Sequence, residues 1–355
     1  MKRLLQIPEY VEDVERVAAL DLPWDMLRGR TMLITGGTGL VGSFLIDVLG
    51  AADLNCRVLL YGRSEEKAKA RFAEYWDKGW LKFEKWDAGE FFNVEKQSGG
   101  EAEGLDYVVH LASNTHPVAY ATDPIGTIAA NVIALNGLLG LAAERNARRF
   151  LFASSNEIYG ENRGDAELFD EKYCGYIDSN TLRAGYPESK RCGEALCQAY
   201  IRQKGLDCVI ARLTRTYGPT ILPTDTKAIS QFFRNALNGE DIVLKSEGRQ
   251  YFSYQHVADS VAGLLTVLLK GAKGEAYNVA ATSGDVTLRD LASLIASLAG
   301  RKVVFDLPDE VESAGFSKAT KARLDGAKLR ALGWRPAYDI RRGAERCYRV
   351  MKETA

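Results

Sequence analysis

Short apolar runs alternate with amphipathic stretches along the first two thirds of the chain. We predict strands for the apolar runs, which lie at 31–34, 57–61, 81–86, 105–111, 150–153 and 208–211. We predict helices for the stretches between them, which lie at 43–49, 64–77, 124–145 and 186–204. The run at 105–111 has few polar positions, as expected of a parallel strand that is buried on both faces. Strands that alternate with helices in this order predict an α/β fold with a doubly wound parallel sheet.

The pattern changes after Tyr217-Gly218-Pro219. Shorter helices are predicted at 227–237, 257–269 and 288–298, and strand-like pieces at 241–244, 275–279 and 302–305. We therefore predict that residues 29–217 form a nucleotide-binding domain. Residues 218–355 would form mainly a smaller substrate-binding lobe, which closes over the carboxyl ends of the strands. Some strands and helices of these residues would return to the first domain. Residues 1–28 read as an N-terminal extension with a helix at 11–20, for which packing or a dimer contact is the default role.

A glycine motif, Thr35-Gly36-Gly37-Thr38-Gly39-Leu40-Val41-Gly42, joins the first predicted strand to the first predicted helix. Gly36 would allow a tight turn, Gly39 would let the backbone approach a pyrophosphate, and Gly42 would let the helix pack closely on the strand. The helix N-terminus would face the phosphates with free N–H groups and a positive dipole end. The motif predicts a Rossmann-type fold that binds NAD(P). The predicted cofactor-binding residues of this motif are Gly36, Thr38, Gly39, Leu40, Val41 and Gly42.

Composition narrows the class of protein further. The 46 lysine and arginine residues nearly balance the 47 aspartate and glutamate residues, which gives no support to a nucleic-acid or anionic-membrane surface. We expect no signal peptide and no membrane-spanning segment from the distribution of apolar residues. The six cysteines form no CxxC pair, and with three scattered histidines they show no metal-ligand spacing. The sequence predicts a cytoplasmic globular protein with reduced thiols and no metal site.

A second motif, Tyr186-Pro187-Glu188-Ser189-Lys190, lies in the predicted helix 186–204. Residues i and i+4 share a helix face, so Tyr186 and Lys190 project side by side. A fixed ammonium ion stabilises a neighbouring phenolate, so we expect Lys190 to lower the pKa of Tyr186 and make it a usable proton acceptor. An ordinary solvent-facing pair is the alternative.

A third motif, Ser154-Ser155-Asn156-Glu157-Ile158-Tyr159-Gly160, follows the predicted strand 150–153. A hydroxyl at the carboxyl end of that strand can bind a substrate oxygen, and a carboxylate there can take a proton from carbon or water. Turn chemistry with a solvated glutamate is the alternative. The three motifs together discriminate between these functional and structural alternatives better than any one of them does.

These motifs resemble the extended short-chain dehydrogenase/reductase family, in particular its NAD-dependent epimerases and dehydratases that act on nucleotide sugars. The resemblance covers residues 30–345. It rests on the glycine motif and on HLAS at 110–113, SSNEIYG at 154–160, YPESK at 186–190, RLTRTYGP at 212–219 and LGWRP at 332–336. Within the family the pattern is most similar to the UDP-glucuronate decarboxylases and next to the sugar 4,6-dehydratases.

The resemblance implies a catalytic set of Ser155, Glu157, Tyr186 and Lys190. Tyr186 would remove the C4-hydroxyl proton of the sugar while hydride leaves C4 for the nicotinamide. Lys190 would bind the nicotinamide ribose, and Ser155 would hold the C4 oxygen. Glu157 would act near C5, where a transient 4-ketone acidifies the proton or lets a carboxylate leave as carbon dioxide. Beside Tyr186 and Lys190, the cofactor-binding residues implied in this way are Asp87, Ala88, Leu111, Ala112 and Ser113.

One departure from the family pattern concerns the cofactor. The position that ends the second predicted strand is commonly acidic in NAD-binding members, but here it is Gly62, followed by Arg63. An arginine can accept a ribose 2′-phosphate that an aspartate would repel. We predict tightly bound NAD(P), with NADP favoured by Arg63. An exposed arginine with NAD still bound is the alternative.

Three further departures concern the substrate. Where dehydratases carry an acid for the departing hydroxyl, this chain has Asn156, whose amide cannot donate a proton and regenerate. The arginine that the family places before its YVxD segment is Phe252, and the asparagine before TYGP is Arg215. The chain thus loses one positive charge at Phe252 and gains one at Arg215. Either Arg215 replaces the lost arginine on the substrate diphosphate, or the substrate carries a different head group. Lys227 and Arg249 are weaker candidates for binding an anion, since a solvated surface charge explains each as well.

The predicted substrate-binding residues are therefore Asn156, Arg215, Lys227 and Phe252. We predict decarboxylation of a nucleotide-linked uronic acid, because Glu157 is present and Asn156 argues against 4,6-dehydration. A nucleotide-sugar epimerase, or a 4,6-dehydratase, is the alternative, and a non-catalytic NAD(P)-binding regulator is the alternative of a different class. The resemblance also implies a homodimer, formed through the helices at 124–145 and 186–204. His110, His116 and His256 are expected to pack in the core or in loops.

Overall fold

The computed structural model describes residues 2–87, 104–115, 120, 122–306 and 320–354. The helices of five or more residues in these ranges are α1 (Pro8–Ala18), α2 (Leu40–Ala51), α3 (Glu65–Arg71), α4 (Pro124–Glu144), α5 (Gly185–Lys204), α6 (Ala228–Leu237), α7 (Val257–Lys270), α8 (Leu288–Leu298), α9 (Ala327–Ala331) and α10 (Ile340–Thr354). The strands are β1 (Thr31–Thr35), β2 (Arg57–Gly62), β3 (Leu81–Lys85), β4 (Leu105–His110), β5 (Arg149–Ser155), β6 (Cys208–Leu213), β7 (Arg215–Tyr217), β8 (Ile242–Leu244), β9 (Tyr251–His256), β10 (Ala276–Val279), β11 (Asp285–Thr287), β12 (Val303–Phe305) and β13 (Lys321–Ala322). Short 3₁₀ helices lie at Leu4–Gln6, Trp24–Met26, Asn156–Tyr159, Leu182–Ala184 and Thr282–Gly284.

The central sheet has seven parallel strands in the order β10-β6-β5-β4-β1-β2-β3. Helices α4 and α5 pack together on one face, and α2 and α7 cover the other. The predicted α/β fold with a doubly wound parallel sheet is confirmed. The strand order reverses between β1 and β4, which is the point where sheets of this kind bind ligands.

A smaller lobe stands beside the carboxyl ends of the central strands. Its sheet joins β7, β11 and β13 around β9, and β8 pairs separately with β12. Phe232, Phe233 and Ile295 belong to its apolar core. The strand β9 was not predicted, because its sequence mixes aromatic and polar residues without alternation. Strand β10 lies beyond residue 217 and joins the central sheet. The division of the chain into two domains at that residue stays a prediction.

Two helices have boundaries that differ from the predicted ones. The helix predicted at 64–77 ends at Arg71, because the chain turns there to bury Phe72 and to pack Tyr75 on Trp80, with ring centroids 5.1 Å apart. The N-terminal helix begins at Pro8, three residues before the predicted start. Proline suits the first helical position, where a backbone donor is not needed.

The N-terminal extension is held by buried polar contacts on two sides. The Tyr10 hydroxyl donates to Asp47 of α2 at 2.5 Å, and the Arg71 guanidinium also binds that carboxylate. On the other side, Asp13 accepts hydrogen bonds from Tyr338 and from Arg346 of α10. Helix α1 therefore connects α2, which begins at the glycine motif, to the last helix of the chain.

Candidate active site

The glycine motif forms a tight loop between β1 and α2. Gly36 has a φ of +70°, and a Cβ atom there would lie 2.7 Å from the backbone nitrogen of Ala112 on the neighbouring strand connection. A Cβ atom at Gly42 would lie 2.4 Å from the carbonyl oxygen of Gly36. Both positions therefore require glycine. The loop leaves the N-terminus of α2 open to a phosphate, so the residues fit a dinucleotide pyrophosphate.

One large cavity of about 1610 Å³ runs from this loop along the carboxyl ends of the central strands to the smaller lobe. A volume of this size exceeds the usual range for one small ligand, and it suits a dinucleotide together with a second molecule. The predicted site residues that line it are Gly36, Thr38, Gly39, Leu40, Val41, Gly42, Arg63, Asp87, Leu111, Ala112, Ser113, Ser155, Asn156, Glu157, Tyr186, Lys190, Arg215, Lys227 and Phe252. Ala88 lies outside the described residues. The fold thus brings the predicted residues together, while their individual roles stay predictions.

Tyr186 and Lys190 occupy one face of α5 and point into this cavity. The Lys190 ammonium donates to the carbonyl oxygen of Ala153 at 2.8 Å, and burial lowers its pKa to about 7. Burial raises the pKa of Tyr186, Glu157 raises it further, and a hydrogen bond with Ser155 lowers it. The expectation that Lys190 lowers the pKa of Tyr186 is therefore wrong for these side chains. A buried lysine that is only partly charged at pH 7 gives little support to a phenolate.

Ser155 and Glu157 lie where β5 ends and the 3₁₀ helix Asn156–Tyr159 begins. The Ser155 hydroxyl accepts a hydrogen bond from the Glu157 backbone N–H at 3.2 Å and so caps this short helix. The neighbouring Asn156 is buried and lines the same cavity. The end of a buried strand therefore presents one hydroxyl, one amide and one carboxylate to the cavity.

Arg183 is a site residue that the sequence analysis missed. Its Nη2 atom binds Oε2 of Glu157 at 2.7 Å, and its guanidinium carbon lies 4.9 Å from the ring centroid of Tyr120. The Tyr120 ring in turn stacks on Tyr186, with centroids 4.8 Å apart. Arg183 precedes Tyr186 by three residues, about one helical turn, which is the signal that could have found it.

Three side chains that the sequence analysis considers for the substrate make other contacts in the folded chain. Lys227 pairs with Asp225 at 2.9 Å, so its charge is already compensated. Phe252 is buried and makes an apolar wall, on which the guanidinium of Arg215 stacks at 3.6 Å from the ring centroid. Arg249 is exposed, pairs with Glu247 and does not line the cavity, as expected of a solvated charge.

The two histidines within the described residues are structural, as predicted. His110 shares a hydrogen bond of 2.8 Å with the Thr35 hydroxyl, and burial, aided by the nearby Lys190, lowers its pKa to about 3. His256 caps α7 through its ring nitrogen, and burial lowers its pKa to about 4. Both rings are neutral near pH 7. His116 lies outside the described residues.

The part of the chain that the structure describes was searched for metal sites and for helices that could cross a membrane. Within it, no group of three or more histidine, cysteine, aspartate or glutamate residues could hold a metal ion. Helix α4 is long and apolar enough to cross a membrane, but 56% of its most apolar window is buried inside this fold. A core helix has the same composition, so this is weak evidence for a membrane segment.

The glycine loop lies at the switch point of a parallel sheet, and serine, tyrosine and lysine side chains face it across the cavity. This arrangement defines a dinucleotide-dependent α/β enzyme. The chain belongs to the NAD dependent epimerase/dehydratase family, whose sequence profile matches residues 32–280. The predicted family, enzyme class and NAD(P) cofactor are confirmed.

Two curated relatives illustrate the similarity in sequence. UDP-glucuronic acid decarboxylase 6 of Arabidopsis thaliana is 31% identical over 316 residues, which cover 88% of this chain and 86% of that protein. UDP-glucuronic acid decarboxylase 1 of Danio rerio is 32% identical and is covered to 71% of its length.

Two solved structures illustrate the similarity in fold. A dTDP-glucose 4,6-dehydratase from Streptomyces venezuelae, solved with NAD bound, superposes with a TM-score of 0.76 at 26% identity, over 91% of this chain and 97% of that one. A UDP-glucuronic acid 4-epimerase from Bacillus cereus has a TM-score of 0.77 at 19% identity, over 92% of this chain and all of that one. The second match is a likeness of fold alone.

Proposed function

We propose that the protein is an NAD(P)-dependent decarboxylase of a nucleotide-linked uronic acid. The similarity to two UDP-glucuronic acid decarboxylases, which extends over 88% of this chain, supports this reaction. The observation that carries it is the ion pair of Glu157 with Arg183 beside Tyr186. Removal of a C5 proton by Glu157 would compete with that pair, whereas loss of carbon dioxide from C5 needs no base at that carbon. Asn156 adds no proton donor for a departing hydroxyl.

The proposed reaction begins at C4 of the sugar. When bound, NAD(P) supplies a reversible hydride acceptor for C4. The phenolate of Tyr186, which the hydrogen bond with Ser155 favours, takes the C4-hydroxyl proton. Ser155 also holds the substrate oxygen, and Lys190 fixes the cofactor ribose. These assignments rest on the position of the three side chains around one cavity and on the family to which the chain belongs.

The second stage takes place at C5. The C5–C6 bond breaks, carbon dioxide leaves, and the electron pair moves to the C4 oxygen as an enolate. C5 then takes a proton from water. When hydride returns to C4, the C4 oxygen takes back the proton that Tyr186 holds, which gives a nucleotide-linked pentose. Oε1 of Glu157 has no partner within the described residues and is the atom that we assign to holding this water.

Mass spectrometry of the products tests the proposal. The protein is incubated with paired nucleotide sugars and uronic acids, with NAD and with NADP, and Tyr186→Phe is the matched inactive control. Loss of carbon dioxide from a uronic acid is expected. Loss of water, or an isobaric product that chromatography separates, would replace the proposal with a dehydratase or an epimerase. Absence of both turnover and thermal stabilisation by any nucleotide sugar would favour a non-catalytic regulator, since a ligand of the native state raises its melting temperature.

We further propose that two copies associate through the helices α4 and α5. Ile125, Ile128 and Ile133 of α4 and the nearby Leu182 are exposed, Ile125 to 79%. Exposed apolar clusters mark interaction surfaces. Light scattering of the purified protein is expected to give twice the chain mass, and Ile128→Glu to lower it. A monomer at micromolar concentration would contradict a homodimer.

The predicted cytoplasmic location also stays a proposal. The six cysteines are all free thiols in the folded chain, which suits a reducing compartment. Fractionation of cells that express the tagged chain tests it, and recovery with the membrane fraction would contradict it.

A further inference from the structure

Arg215 and Phe252 lie on the neighbouring strands β7 and β9. Compared with the family pattern, this chain has lost an arginine at position 252 and gained one at position 215. Strands β7 and β9 pair in parallel, with Arg215 opposite Tyr254, so the Arg215 side chain reaches back over Phe252. Its guanidinium carbon lies 3.6 Å from the centroid of that ring. A stacked guanidinium has its plane fixed, while the N–H groups at its edge stay available to an acceptor. Phe252 therefore serves as a platform that orients Arg215.

Arg215 lacks the carboxylate partner that neighbouring cations of the cavity have. Lys227 is paired with Asp225 and Arg183 with Glu157, but no carboxylate of the described residues lies within 4 Å of Arg215. Its Nη1 atom is buried and has no hydrogen-bond acceptor among those residues. Burying an unpaired guanidinium costs free energy, which a bound anion would recover.

The location of this charge indicates which anion it meets. Burial is the largest effect on the pKa of Arg215, which it lowers, and Glu157, Arg183 and Tyr120 all act electrostatically on the same group. Arg215 and Glu157 line the same cavity and are close enough to interact electrostatically. Because Arg183 already neutralises Glu157, Arg215 leaves a net positive charge at this end of the cavity. A neutral sugar needs no such charge, whereas a carboxylated sugar placed near Glu157 does.

We propose that Arg215, held by the Phe252 platform, binds the C6 carboxylate of the substrate and selects uronic acids over neutral sugars. This inference rests on the proposed function, since it assigns the selectivity of the same site. Guanidinium and carboxylate form two parallel hydrogen bonds, a geometry that a lysine or an amide cannot reproduce. The diphosphate of the substrate offers the same anionic chemistry, and the experiment separates the two.

Calorimetric binding to the NAD-loaded protein tests the proposal. The Tyr186→Phe background prevents turnover, and the probes are UDP, UDP-glucose and UDP-glucuronate. Arg215→Gln is expected to weaken UDP-glucuronate about 100-fold and to change UDP and UDP-glucose less than about threefold. Arg249→Gln removes the same charge outside the cavity and is expected to change none of the three. An equal loss for all three probes would place Arg215 on the diphosphate and overturn the proposal, as would no loss.

Two further variants keep the test independent of folding. Phe252→Leu keeps the guanidinium but removes the platform, and it is expected to lower the uronate preference about tenfold. The double variant Arg215→Asn with Phe252→Arg moves the cation to the other strand and is expected to restore part of the preference lost in Arg215→Asn alone. If the wild type releases carbon dioxide while Arg215→Gln keeps its uronate preference, only this inference fails. If the wild type converts no uronic acid, the proposed function fails.

Discussion

Two charge clusters in this protein differ in how completely their polar atoms are paired. Around Asp47, both carboxylate oxygens bind the Arg71 guanidinium, and one also accepts from the Tyr10 hydroxyl. Around Glu157, Arg183 and Arg215 each keep a buried nitrogen with no acceptor among the described residues. Paired charges of the first kind join elements of the fold, while unpaired donors in a cavity are available to a ligand. The comparison therefore separates residues that stabilise the fold from residues that act on a substrate.

The largest expected effect is on catalysis. Tyr186→Phe removes the proposed proton acceptor and should lower turnover about 10³-fold, the usual size of a general acid–base contribution. The ring and its stacking on Tyr120 remain, so the melting temperature and cofactor binding should change little. Steady-state rates and thermal melts of the same preparation check both parts. Wild-type turnover in this variant would refute the mechanism.

The Asp47 cluster should show the opposite behaviour. Asp47→Ala leaves Arg71 and the Tyr10 hydroxyl without their buried partner and should lower the free energy of unfolding by about 4 kcal/mol. Urea unfolding measures this loss, and the turnover of the folded protein should stay near the wild-type value. Glu157→Gln is the matched change in the other cluster and should do the reverse, with lower turnover and little change in stability. Equal destabilisation by both would remove the distinction between the clusters.

The neutral histidines predict how stability depends on pH. The pKa of His110 is about 3 in the folded chain and about 6.5 when unfolded, so the unfolded chain binds the extra proton between these values. The contribution of His110 is complete above pH 6.5 and is lost as the pH falls towards 3. Between pH 7 and pH 5 the loss should be about 2 kcal/mol. Urea unfolding of His110→Asn should show a correspondingly smaller difference between the two pH values, and an unchanged difference would contradict this.

The smallest expected effect concerns the choice of cofactor. Arg63 follows Gly62 at the end of β2 and lines the cavity together with Lys67. If Arg63 binds the ribose 2′-phosphate, Arg63→Ala should weaken NADP about tenfold and leave NAD unchanged. Fluorescence titration with both cofactors measures this, with Lys69→Ala in the nearby helix α3, outside the cavity, as the control. An unchanged NADP affinity would argue for ordinary NAD binding.

The sequence predicted the fold and much of the lining of the cavity because both depend on local patterns. Apolar runs located the central strands, and the glycine, tyrosine and serine motifs follow the carboxyl ends of β1 and β5 or face them from α5. Contacts between distant segments could not be predicted in this way. The pairing of Arg183 with Glu157 and the stacking of Arg215 on Phe252 depend on how the short helices and the second sheet pack. The expected pKa shift of Tyr186 was wrong because burial, which no local motif reveals, outweighs its neighbours.

The contacts of α1 have a consequence for the order of folding. Asp13 and Tyr338 are separated by 325 residues, and Glu9 and Arg346 by 337. On the ribosome, α1 is made long before α10, so the side of α1 that carries Asp13 stays without these partners until α10 has been made. Contacts of such long range slow folding and leave apolar surface uncovered in the meantime. The side of α1 that packs on α10 is thus uncovered during synthesis, and a chaperone that binds nascent chains would meet it there.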